Sequence, residues 1–166
     1  MTTADASWKQ VDPGHPLVPV LLKVPPSVEV KLIKLSDTAA IYMVKVPGTD
    51  VLLQLGVDQV QKPDDFKAMI ESQGGTTDLE TRAGKLGGKD ATEACGTINV
   101  PLPFAVTQGA DGGVKEVEAH VKQDRYGGYF VPLGDRVFRA TYRIPEKEAA
   151  KWEPVFRTIL DNLTWK

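Results

Sequence analysis

Hydrophobic and polar residues alternate most strictly near the C-terminal end of the chain. From Val137 to Ile144, Phe138, Ala140, Tyr142 and Ile144 share one face, and Val137, Arg139, Thr141 and Arg143 share the other. This period of two is that of a strand with one dry face. Beyond Pro145, whose missing N–H suits a first helical turn, Ala149, Trp152, Phe156, Ile159 and Leu163 follow at steps of three and four. The change of period predicts a helix lying on a sheet. Pro154 falls inside that helix, where it removes one backbone bond and crowds the preceding turn. A straight helix there costs about 3 kcal/mol, so a kink near Trp152 or two short helical pieces are expected.

Upstream, Pro13, Gly14 and Pro16 in VDPGHP make residues 1–16 an extended arm, with residues 17–166 read as a single domain. LVPVLLKV from Leu17 is apolar and β-branched, and Pro19 demotes its first part to an edge strand or a strand entry. VEVKLIKL, AIYMVKV and VLLQLGV, separated by the turn-forming SDTA and PGTD, predict an antiparallel meander. Pro63, Asp64 and Asp65 suit the start of a short helix with an apolar stripe of Phe66, Met69 and Ile70, and Gly74-Gly75 stops it. Two strands are expected around Gly87-Gly88, and a further candidate in PFAVTQ before the Asp111-Gly112 turn. VKEVEAHVKQ reads as a strand in which Val114 is out of phase, through a bulge or a late strand start. Tyr126–Val131 and Val137–Ile144 flank the turn LGDR.

Strands, a helix, more strands and a final helix give, by layer logic, an α+β domain: an antiparallel β-sheet with a short mid-chain helix and a long C-terminal helix packed on it. In LLKVPPSVEV, KLGGKDATEACGTI and VFRATYRIPEKEAAKWEPVFRTIL the chain resembles the PsbP-like superfamily, which includes PsbP, the Ran-binding protein Mog, and bacterial chaperones and lipoproteins. The resemblance spans roughly Leu17 to Leu163. It implies a non-enzymatic binding or assembly factor and assigns no site residue.

Composition narrows the function classes. At 166 residues the chain can bury about 70% of its extended surface without a metal or disulfide. With 42% hydrophobic residues and no long apolar run, a soluble chain with no membrane span is expected. A net charge of −2 with cations spread evenly offers no footprint for nucleic acid. Cys95, the sole cysteine, excludes an internal disulfide and a thiolate metal cluster, and reads as a small core or half-buried residue rather than a reactive thiol. MTTADASWKQ lacks the basic and apolar regions of a signal peptide. The chain is therefore cytoplasmic if Met1 is its natural start, and exported if a leader was removed.

No catalytic, cofactor or metal site is expected. His120 with Asp111 or Asp124 lacks a serine elbow to complete a triad. His120 and Asp124, four apart on a strand, stand too far apart to clasp one ion. GKLGG and GADGG match no phosphate loop and read as turns. The stretch from Gln123 to Arg136 combines two glycines with Arg125, Tyr126, Tyr129, Phe130 and Arg136, the aromatic-plus-arginine mixture of protein docking sites. Its competing reading is a hairpin whose aromatics pack in the core. PLPF, from Pro101 to Phe104, is a second candidate surface. The leading expectation is a non-catalytic binding or assembly module that docks a protein partner through Arg125, Tyr126, Tyr129 and Arg136 of the 123–136 hairpin, with the N-terminal arm as a further candidate contact. The alternative is a carrier of a small apolar ligand between sheet and C-terminal helix, lined by Phe138, Tyr142, Trp152 and Phe156.

Overall fold

The computed structural model describes residues 4–101, 106–108, 114–116 and 121–166. The chain opens with β1 (Lys9–Val11) and β2 (Val20–Val24), runs through β3 (Glu29–Ser36), β4 (Ala39–Lys45) and β5 (Leu52–Val57), and reaches α1 (Pro63–Ser72). Then follow β6 (Thr76–Thr77), β7 (Glu80–Leu86), β8 (Lys89–Pro101), β9 (Val106–Gln108), β10 (Val114–Glu116), β11 (Val121–Leu133) and β12 (Arg136–Pro145). α2 (Glu146–Asp161) and β13 (Thr164–Trp165) close it.

Eight strands form one sheet in the order β3-β4-β5-β12-β11-β8, with β6 and β7 both pairing along the far side of β8. The expected α+β architecture holds, including the β3-β4-β5 meander and the hairpin around Gly87-Gly88. The β11-β12 hairpin turns where Gly134 takes a φ of 65°, a region open mainly to glycine. LVPVLLKV does not join this sheet. Its strand β2 starts directly after Pro19 and lies between β1 and β13 in a small sheet of its own. Within the first sixteen residues, Lys9–Val11 thus pairs in register with Leu22–Val24, and Trp8 and Val11 pack on the core.

The large sheet has two unlike faces. On the inner face, Tyr42, Val44, Leu53, Leu55, Phe138, Ala140, Tyr142 and Ile144 meet Val20, Leu22 and Val24 of the small sheet and Trp152, Phe156 and Ile159 of α2 in one buried cluster. α2 runs unbroken through Pro154, so the two-piece helix is not formed. Pro154 and Ala150, whose carbonyl loses its partner, are both exposed, and water can satisfy that carbonyl. On the outer face, α1 covers only the β6/β8 end, where Phe66 and Ile70 pack on Ile98 and Tyr126. Asp65 of α1 caps the helix start, its Oδ2 accepting from the backbone N–H groups of Gln61 and Lys62, each at 3.1 Å. Among the described residues no helix is long and apolar enough to cross a membrane.

Gly127 permits the closest packing on the inner face. A Cβ there would lie 2.4 Å from the Tyr142 hydroxyl. Gly127→Ala is therefore expected to lose about 1–3 kcal/mol by overpacking, and Phe156→Ala about 3–5 kcal/mol by leaving a cavity. Urea unfolding of both variants checks this, and an unchanged midpoint for either would show that α2 does not close the core at that point.

Candidate functional site

β11 lies in the middle of the sheet, with β12 on one side and β8 on the other. Successive side chains of a strand point to opposite faces, so its aromatic and basic residues are divided between two helices. On the inner face, Arg125 Nε donates to Glu153 Oε2 of α2 at 3.1 Å, and the Tyr142 hydroxyl donates to the same oxygen at 2.8 Å. Tyr129 lies under Arg157 of α2, whose Nη1 donates to Glu93 Oε1 at 2.9 Å. On the outer face, Tyr126 stacks on Phe66 of α1 with ring centroids 3.8 Å apart and is 2% exposed.

The four residues expected to dock a partner are thus not gathered on one surface. Tyr126 is buried, Arg125 and Tyr129 hold α2, and only Arg136, at the hairpin turn, is freely exposed. The reading in which the aromatics of this hairpin pack inward holds for Tyr126 and Phe130. The four residues expected to line a ligand space are brought together, but as packing. Phe156 contacts Tyr142 at 6.1 Å and Trp152 at 6.5 Å between ring centroids, and Phe138 is met edge-on by Trp165 at 5.0 Å. Side chains occupy the volume a carrier would use.

Glu93 is the charged centre of the inner face. Arg82 donates to it through Nε at 2.8 Å and Nη2 at 3.0 Å while Arg157 reaches it from the helix. The hydrogen bonds from Arg82, with help from Arg157, outweigh burial and hold its carboxyl below the ordinary glutamate value. Burial, and then the hydrogen bond to Glu153, push the Tyr142 phenol up.

The outer face carries the feature that sequence patterning missed. Arg139 and Thr141 were expected on the wet face of β12, yet both are buried. Arg139 forms an ion pair with Asp58, and its Nη1 donates to Thr141 Oγ1 at 3.1 Å. Burial works against the Arg139 charge, but Tyr126 and Asp58 beside it more than offset that and raise its pKa. Burial raises the Tyr126 phenol as well, against the pull of Arg139. Above this pair, between α1 and β5, opens a cleft of about 440 Å³. Leu52, Val60 and Phe66 form its apolar walls, Gln54 and Thr141 its floor, and Leu35 and Met69 its rim. At its end, Arg143 Nε donates to the buried Asp124 Oδ2 at 2.6 Å.

The arrangement suits binding through an apolar wall over a polar floor in which Gln54 and Thr141 accept from Arg139, while the buried Tyr126 hydroxyl has no hydrogen-bond partner among the described residues. Asp124 Oδ2 is taken up by Arg143 while its Oδ1 is buried with no hydrogen-bond partner among the described residues, and His15 Nδ1 accepts from the Leu17 N–H at 3.1 Å. Cys95, half-buried on the inner face, lies within electrostatic reach of Arg82 and Arg125. His120, Asp111, the GADGG turn, the 117–120 part of VKEVEAHVKQ and residues 102–104 of PLPF lie outside the described residues. Among the described residues no three His, Cys, Asp or Glu side chains converge as metal ligands do.

Two outcomes follow from these pairs. Because the folded pKa of Glu93 is lowered, its stabilising contribution is full above about 4.5 and is lost as pH falls through the lower folded value. Glu93→Gln is expected to be less stable at neutral pH and to lose less stability than the parent between neutral and acid pH, measured by thermal unfolding across pH. Asp58→Ala, which leaves Arg139 buried without its counter-charge, is expected to cost about 3–5 kcal/mol, and the double change with Arg139→Met to recover much of it. If the single variant unfolds like the parent, the Arg139–Asp58 pair is not buried as described.

No family model matches this chain, and no curated protein sequence matches it. Solved structures do. The solution structure of cyanobacterial PsbP (CyanoP) from Synechocystis sp. PCC 6803 is similar with a TM-score of 0.54 at 12% identity, over 98% of this chain and 95% of that one. A crystal structure from Bacteroides thetaiotaomicron VPI-5482 matches with a TM-score of 0.42 at 10% identity, over 92% of this chain and 47% of that one. LpqN, involved in cell envelope biogenesis of Mycobacterium tuberculosis, matches with a TM-score of 0.41 at 14% identity, over 95% of this chain and 89% of that one. At these identities the likeness is one of fold, and the fold of this chain, an antiparallel sheet closed by a C-terminal helix, is PsbP-like.

Proposed function

We propose that the protein is a non-catalytic binding module that docks a protein partner on the outer face of its sheet, with an apolar side chain of the partner seated in the cleft between α1 and β5. The observation that carries this reading is the rim. Leu35 is 54% exposed and Met69 36%, both large apolar side chains, and both border a cleft whose floor residues Gln54 and Thr141 are already held by Arg139. Exposed apolar side chains scattered singly mean little, but gathered around a concave apolar wall they mark a surface made to be covered. The cations nearest the cleft, Arg139 and Arg143, are held by Asp58 and Asp124, which leaves them poor candidates for acid–base work and good ones for holding the floor rigid. The PsbP-like superfamily that the sequence resembles consists mostly of binding and assembly factors, which agrees with this reading.

The test uses a photo-crosslinking amino acid placed at position 35, 69 or 136 of the full chain in native extract. The same adduct is expected from positions 35 and 69, lost from position 35 when Met69→Glu is added, and absent from position 136. Adducts from position 136 alone would contradict the proposal and return the docking site to the β11-β12 turn.

A further inference from the structure

We propose that the free edge of β3 accepts an acidic, extended segment of a protein partner as an added strand. This rests on the reading of the chain as a binding module, but not on the cleft beneath α1. Among the described residues β3 pairs only with β4, so along its eight residues alternate N–H and C=O groups point outward with no strand beside them. From Glu29 to Lys34 the register with β4 is regular, and it shifts only at Leu35, between Lys34 and Ser36. A flat edge of this length can take another strand, with the backbone supplying affinity and alternate side chains supplying specificity.

Charge indicates what that strand should carry. Lys9, Lys31 and Lys45 line a groove of about 440 Å³ around the start of this edge, together with Val28, Val30, Met43 and a single carboxylate, Glu29, opposite Lys45. These three lysines have no ion-pair partner among the described residues, in contrast to Lys34, Lys85, Lys122 and Lys166. Lysines on an edge strand guard it against indiscriminate pairing, and two copies of β3 side by side would set Lys31 and Lys34 against their own kind. A segment alternating carboxylate and apolar residues meets no such repulsion: its carboxylates complement Lys31 and Lys45 on one face and its apolar side chains fit beside Val30 on the other.

The probe is a fluorescent eight-residue peptide alternating glutamate and valine, added to the full chain. Binding by anisotropy is expected, with slowed amide exchange confined to residues 29–34. A fully N-methylated copy keeps the carboxylates but loses every backbone donor, and is expected to bind at least tenfold more weakly. Lys31→Glu with Lys45→Glu, both exposed positions, is expected to weaken the parent peptide by about tenfold. Equal binding of the N-methylated copy, of a lysine–valine peptide or of a single-stranded oligonucleotide would overturn the proposal by showing attraction without strand pairing. Slowed exchange that grows with protein concentration alone would assign the edge to a second copy instead. If the peptide fails while positions 35 and 69 still crosslink, only this inference falls; if it binds and those positions stay silent, the cleft reading falls and the edge stands.

Discussion

The structure depends on one strand being gripped from both sides. β11 is flanked by strands along its length and presents Arg125 and Tyr129 to one helix and Tyr126 to the other. Its glycines make this possible. With no side chain at Gly127, the Tyr142 ring can cross the strand and reach Glu153 on α2. At Gly128, a φ of 139° and a carbonyl 2.1 Å from where a Cβ would sit leave room for glycine alone. Close approach here is what lets α2 lie near enough for its apolar stripe and its charges to engage together.

Much of what looks like binding chemistry is consumed by that grip. Arg82, Arg125 and Arg157 pair with Glu93 and Glu153 across the inner face, and Arg139 and Arg143 with Asp58 and Asp124 on the outer one. Ion pairs of this kind add little net stability over a well-packed apolar core, but each fixes where a strand or helix must sit. Exposed apolar side chains and lysines without an ion pair among the described residues lie at the β3-β4-β5 end. There the sheet is left bare by the short α1, apolar side chains border a cleft, and Lys9, Lys31 and Lys45 around a strand edge outnumber the one carboxylate of their groove, Glu29.

Features set by neighbours in sequence were legible, and features set by distant partners were not. The alternation of Phe138, Ala140, Tyr142 and Ile144 and the spacing of Trp152, Phe156 and Ile159 are local, and all seven are buried as their period requires. The paired glycines in the 123–136 stretch are visible in the sequence, but not that Gly127 makes room for a tyrosine of the same sheet. Arg139 looked solvent-facing because its counter-charge, Asp58, lies 81 residues earlier. Pro154 looked disruptive because periodicity does not reveal that its carbonyl partner faces water. β1 and β13, at three and two residues, are too short to leave a pattern, so the small sheet they form with β2 could not be foreseen. The outer-face cleft was hidden for the same reason as Arg139: its walls come from β5, α1 and β12, which nothing local brings together.

The division of residues between gripped interior and open face is tested most directly by hydroxyl-radical footprinting of the full chain, each side chain scored against its own reactivity in the unfolded state. Tyr126, Tyr142 and Phe156 are expected to be strongly protected and Tyr129 partly, while Leu35 and Met69 react nearly as in the unfolded chain. Tyr126 reacting as freely as Leu35, or Leu35 and Met69 protected as fully as Phe156, would contradict it.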